Sequence, residues 1–154
     1  MDKRTSLVVQ LELVWWAITA VVVIAVLYPI YKAMYSWPFV QWNILFIVVL
    51  ITLSRYIFMM QHTFLAQRQV LKIALLLIMF PATFALISGL NGFLTYIEEH
   101  TWEAMTGHLP EEPRLSMEAY IRGEMLFFGA GSILAAPLFA ISLMRSIWRT
   151  RNRR

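Results

Sequence analysis

The chain contains no cysteine. Disulfides, thiol nucleophiles, iron–sulfur clusters and cysteine-ligated zinc therefore lie outside its chemistry, and the redox compartment leaves no mark on it. Charge is scarce too. Asp, Glu, Lys and Arg make up 14% of the 154 residues, against about 25% in an ordinary soluble domain. Histidine is limited to three positions, all in hydrophilic stretches or at their edges. A buried haem held by axial histidines is disfavoured on that ground. No G-x-S-x-G, phosphate-binding glycine loop, G-x-G-x-x-G or HExxH is present. Nothing in the sequence announces an enzyme, and no cofactor is implied.

Apolar residues are abundant instead, at 60% of the chain against about 45–50% in soluble domains. A soluble fold of this size has no interior large enough to hide them, whereas a lipid bilayer does. Four segments reach the roughly 20 mostly apolar residues that a membrane crossing needs, at about 11–31, 39–60, 70–97 and 123–147. Each is expected to be a helix, because backbone exposed to lipid must satisfy its own hydrogen bonds. The runs do not alternate with period two, and four crossings cannot close a barrel. The fold class expected is all-α: one integral membrane domain over residues 1–154, a four-helix bundle with four spans. No internal repeat is found.

The basic residues set the orientation. With four spans, both termini and the middle loop share one side. That side carries Lys3, Arg4, Arg55, Arg68, Lys72, Arg145, Arg149, Arg151, Arg153 and Arg154, and the other only Lys32, Arg114 and Arg122. Seven of the nine acids (Glu98, Glu99, Glu103, Glu111, Glu112, Glu118 and Glu124) fall on the second side. Because Lys and Arg favour cytoplasmic loops, both termini are expected in the cytoplasm of a plasma or bacterial inner membrane. The acidic loop 98–120 then lies outside, and the basic tail 148–154 lies near anionic lipid. The net charge of +4 is thus sorted by side, and nucleic acid is not implied as a partner. The first run lacks a small-x-small cleavage site, so it reads as an uncleaved span rather than a secretory signal. Trp37, Trp42, Trp102 and Trp148, with Tyr28, Tyr31 and Tyr35, fall near span ends, where amphipathic rings favour the headgroup level.

Local signals refine the spans. Ser36 is placed to cap the second helix, with Pro38 near its first turn. Residues 61–69 contain neither Gly nor Pro, so a short interfacial helix with Phe64 and Leu65, or extended flanking helices, is expected there. Ser116 looks like a cap for a fourth helix that begins outside the bilayer, with a Glu118–Arg122 pair one turn apart. Pro81 and Pro137 remove backbone donors inside spans three and four and are expected to bend them. Ala85, Ser88, Gly89 and Gly92 on span three, and Gly129, Gly131, Ser132, Ala135, Ala136 and Ala140 on span four, form small-residue faces. Such faces allow close helix contact between these two spans, in a second copy or with another membrane protein.

Polar residues within spans mark candidate sites. Asn43, Asn91, Glu124 and the adjacent Arg122 fall at comparable depth on the outer half and could line a ligand pocket, with Gln41, Tyr96 and Lys32 near it. The alternative reading is a hydrogen-bond network that holds the bundle. Glu12 and Arg55 fall at one depth near the inner face, where an intramembrane ion pair is expected. Arg68, Lys72 and Arg145, with His62 nearby, suit a lipid headgroup or phosphate, or else snorkel to the interface. His100, His108, Glu99, Glu103, Glu111 and Glu112 share the outer loop without a metal-binding spacing, so no metal site is expected. The nine methionines are scattered and read as adaptable packing.

These features point first to a non-enzymatic role, as an accessory or scaffolding subunit of a membrane complex or a homo-oligomer. Two other classes stay open: a transporter or binding protein for a small or lipidic ligand at an outward polar pocket, and a lipid-modifying enzyme built on the inner basic cluster.

Overall fold

The computed structural model describes residues 3–34, 36–60 and 63–152. Tyr35, His62, Arg153 and Arg154, which enter the sequence reading, lie outside the described residues. The described chain is helical throughout, in the order α1 (Lys3–Ala33), α2 (Val40–Met59), a short 3-10 helix (Phe64–Gln67), α3 (Gln69–His100), α4 (Glu103–Thr106) and α5 (Glu111–Arg151). Four of these, α1, α2, α3 and α5, are long and apolar enough to cross a membrane. They alternate in direction, so both ends of the chain meet the α2–α3 connection at one end of the molecule. That end is called here the termini end, and the opposite one the loop end.

The helices run longer than the apolar segments alone predict. α5 starts at Glu111, where Pro110 occupies the cap position and its carbonyl accepts from the Arg114 amide at 3.0 Å. Glu111 and Glu112 in this first turn suit the positive end of the helix dipole, and Pro113 has no amide to lose there. Ser116 is therefore an exposed residue inside the helix and not its cap. At its other end α5 extends through much of the basic segment to Arg151, with Arg149 and Arg151 at the negative end of the dipole. α2 likewise lacks a side-chain cap: Phe39 takes the cap position rather than Ser36. α1, α3 and α5 run as continuous helices through Pro29, Pro81 and Pro137. Between α2 and α3, Phe64–Gln67 form a 3-10 turn that includes Leu65. After α3 the chain reverses at Thr101, whose φ of 54° is unusual for a β-branched residue.

The core is a seam along α5. Its buried positions are Ile121, Glu124, Met125, Gly129, Ser132, Ala135, Ala136, Phe139 and Leu143, spaced mostly three or four apart on one face. α2 answers with Asn43, Phe46, Ile47, Leu53 and Arg55, and α3 with Lys72, Leu86, Gly89, Leu90 and Phe93. The small residues of α5 admit large partners. A Cβ at Gly129 would fall 2.8 Å from Leu90, and one at Gly131 would fall 3.0 Å from Leu50. α3 thus meets α5 mainly through its leucine and phenylalanine face. Of its small residues, Gly89 is filled by the Trp42 indole of α2, while Ala85, Ser88 and Gly92 are exposed. α1 packs more loosely, through Leu27, Ile30 and Met34 toward the loop end.

Gly89 and Gly92, less than one turn apart on α3, make a matched test of this packing. A Cβ built on Gly89 lands inside the Trp42 ring, whereas one on Gly92 meets nothing within 4 Å. Gly89→Ala is expected to destabilise the fold by about 1–3 kcal/mol, as overpacking does. Gly92→Ala is expected to be neutral or to stabilise by up to about 1 kcal/mol through helix propensity. Unfolding titrations in mild detergent measure both, and equal losses would contradict the packing described.

Candidate functional site

Polar contacts inside the bundle tie helices together in both of its halves. In the loop-end half, the Asn43 side-chain amide of α2 donates to Glu124 Oε1 of α5. Asn43 is wholly buried and Glu124 nearly so. The remaining oxygens of the pair, Asn43 Oδ1 and Glu124 Oε2, are buried with no hydrogen-bond partner among the described residues. The other residues grouped with this pair by sequence depth do not join it. Asn91 and Arg122 are exposed, as are Gln41 and Lys32. The reason is rotation: depth along a helix is legible in hydropathy, but the face a residue occupies is not. Tyr120 is the neighbour that the sequence reading missed. Its hydroxyl donates at 2.9 Å to the Val26 carbonyl of α1, next to the Ala25 carbonyl that Pro29 leaves without its helical donor. Its signal was present, because Tyr120 precedes Glu124 by one helical turn.

In the termini-end half, Arg55 of α2 and Glu12 of α1 form a two-point ion pair. Nη2 lies 2.6 Å from Oε1, and Nη1 donates to Oε2 at 2.8 Å. The Arg55 side chain is 6% exposed and that of Glu12 21%. The guanidinium also sits 5.7 Å from the Trp15 ring centre and 5.4 Å from that of Tyr56. These distances suit cation–π attraction. Trp15, Trp16, Thr19, Ile51, Thr52, Arg55 and Tyr56 line a cleft beside the pair whose internal space is about 10 Å³. That is room for about one water, far below the several hundred Å³ of a small-molecule site.

The inner basic cluster divides. Arg68 and Arg145 are exposed, but Lys72 is buried and turned into the bundle. Its ammonium donates to the Ala66 carbonyl at 2.8 Å and to Ser146 Oγ at 2.9 Å. Lys72 therefore straps the 3-10 turn and α3 to α5, and its placement separates it from the two arginines. Nothing in the sequence pattern marked Ser146 as its acceptor.

The loop end is closed by a small polar lid. Thr106 of α4 donates to Glu118 Oε1 at 2.7 Å, and Arg114 lies 3.8 Å from the same oxygen. Glu118 thus pairs one turn back, with Arg114, rather than forward with Arg122. His108 donates through Nε2 to the Ala33 carbonyl at 2.9 Å, which caps the end of α1. His100 stacks on Tyr96 with ring centres 4.5 Å apart. The two histidines are thus engaged separately, and among the described residues no three His, Asp or Glu side chains gather as a metal site. Trp37 is buried at this end against Phe39 and Phe93, so it serves the core rather than an interface belt.

No protein-family model, curated protein or solved structure matches the chain.

Charge removal at the termini end should be costly and reversible by design. Glu12→Gln leaves Arg55 buried without its counter-charge and is expected to destabilise by about 3 kcal/mol. The double variant Glu12→Met with Arg55→Leu is expected to recover most of that loss. A double variant no more stable than Glu12→Gln alone, in the same detergent unfolding assay, would refute a mainly electrostatic penalty.

Proposed function

We propose that the chain is a multi-pass membrane protein that serves as an accessory or scaffolding subunit, docking a further transmembrane chain on α3. Both termini and the Arg68 turn lie in the cytoplasm, in keeping with the ten-to-three bias of Lys and Arg, and the lid around Glu118 lies outside. The membrane is the plasma membrane, or the inner membrane if the host is bacterial.

The observation that carries this reading is the open stripe of Ala85, Ser88 and Gly92. On α5 the corresponding stripe is filled from within the chain, with Leu90 at Gly129 and Leu50 at Gly131. On α3 these three residues are exposed, and Gly92 faces open space. Lipid chains gain nothing special from a small-residue groove. A second helix gains close backbone approach, with a serine hydroxyl in reach. A transporter or ligand-binding reading would rest on Asn43 and Glu124. A lipid-modifying enzyme would rest on Arg68, Arg145 and Lys72, of which Lys72 is strapped inward.

Two measurements test the proposal. Because the chain has no cysteine, single substitutions report sidedness cleanly. Glu112→Cys should react with a membrane-impermeant maleimide in intact cells, and Thr150→Cys only after permeabilisation. The reverse pattern would overturn the orientation. For docking, native mass spectrometry of protein extracted from its host membrane should show a stoichiometric companion, either a second copy or another membrane protein. Gly92→Leu should release it without lowering the unfolding midpoint. A lone chain in both samples would overturn the scaffold reading.

A further inference from the structure

Glu124 and Asn43 meet with two acceptor oxygens left over. The amide donates to one carboxyl oxygen, while Glu124 Oε2 and Asn43 Oδ1 are buried and receive nothing from the described residues. No cation among the described residues offsets the carboxyl. Glu12 pairs with Arg55 in the opposite half, and Glu118 with Arg114 in the lid. Arg122, two residues away on α5, is exposed on another face. The groups packed around this half do not supply a charge either. The buried residues of this half include Leu27 and Ile30 of α1, Met34 just after it, Asn43 and Phe46 of α2, and Leu90 and Phe93 of α3, none of them charged. On α5 itself the titratable neighbour is Tyr120, whose hydroxyl is committed to the Val26 carbonyl. A carboxylate so placed has lost water and gained no counter-charge, which is the circumstance in which a buried acid binds a proton instead.

We propose that Glu124 is a proton-binding site. The folded chain holds it as the carboxylic acid, and its Oε2–H directed toward Asn43 Oδ1 supplies the donor that both orphaned oxygens lack. The result is an acid–amide pair that fastens α2 to α5. The ligand is a proton rather than a metal ion, because a hard divalent cation takes about six oxygens and this place offers two. Loss of the proton sets a carboxylate oxygen against the amide oxygen and loosens the α2–α5 seam at the loop end. This inference stands apart from the docking face on α3.

Infrared spectroscopy of the full chain in liposomes tests it. The chain has nine Asp and Glu residues, so a protonated-carboxyl band is assigned to Glu124 by its loss in Glu124→Gln. Wild-type protein should show one such carbonyl band at neutral pH, shifted in heavy water and absent from Glu124→Gln. Alkaline pH should remove the band and lower the unfolding temperature of wild type. Glu124→Gln, which mimics the neutral acid without having to take up a proton on folding, should match wild type only at acid pH, should be the more stable of the two near neutrality, and should not itself change over that range. A wild-type spectrum without the band at neutral pH would overturn the proposal. So would a band that sodium or potassium chloride abolishes at constant pH, since a metal cation would then be the occupant. If Glu124→Gln fails to fold, Asn43→Leu decides: the band should move to the position of an unbonded acid, and an unmoved band would refute the pair.

Discussion

A helix can lie at the centre of a small bundle only if its neighbours can reach its backbone, and α5 meets that condition. Gly129, Ser132, Ala135 and Ala136 keep one face of it low, so Leu90 of α3 comes in close at Gly129 and Leu50 of α2 at the nearby Gly131. Larger residues above and below, Met125, Phe139 and Leu143, fill the wider parts of the seam. In the membrane setting proposed above, there is little hydrophobic gain from bringing helices together, so fit of this kind and a few polar contacts hold the bundle. The other features depend on that seam. It sets the rotation of α2, which turns Asn43 toward Glu124 and Arg55 toward Glu12. It also turns α3 so that Leu86 and Leu90 face inward and Ser88 faces out.

The Arg55 and Glu124 contacts solve the problem of burial differently. Arg55 receives a two-point carboxylate and two aromatic faces. Glu124 has one neutral donor and no cation. The same solvation argument that lets the first site remain ionic makes the second favour the neutral acid. Placement matches this contrast. The ion pair sits toward the termini end, beside α1, whose N-terminal half is largely exposed. The acid sits in the tighter half under the polar lid.

Hydropathy and charge were enough to read four apolar helices, their order, and the pairing of Glu12 with Arg55. Long apolar runs admit one solution, and two opposite charges at one depth in neighbouring antiparallel helices have few other partners. Rotation about each helix axis was not legible. A uniformly apolar helix has almost no amphipathic asymmetry, so nothing in its pattern says which side faces in. Asn91 and Arg122 were therefore grouped with Glu124 by depth alone, and both turn outward. Helix ends were hidden for a different reason. Ser116 and Ser36 suggested caps, but Pro110 starts α5 through its backbone carbonyl, and Phe39 starts α2 without any side-chain cap. Lys72 misled because a lysine near a span end snorkels outward by default, and only the fold shows that Ala66 and Ser146 draw it inward.

One contact joins the buried acid to the open face of α3. Trp42 adjoins Asn43 on α2, and its indole occupies the space over Gly89 that a Cβ would fill. Gly89 lies beside Ser88 and less than one turn from Gly92. The path from Glu124 to the exposed stripe is thus two helix–helix contacts long, through Asn43 and then Trp42. A change at Glu124 that shifts α2 must move the indole or strain it, because glycine offers no side chain that could yield. Coupling of this kind needs an element with two arrangements. On the protonation proposed above, the Asn43–Glu124 pair would supply the two: bonded through both carboxyl oxygens with the proton, and through Oε1 alone without it.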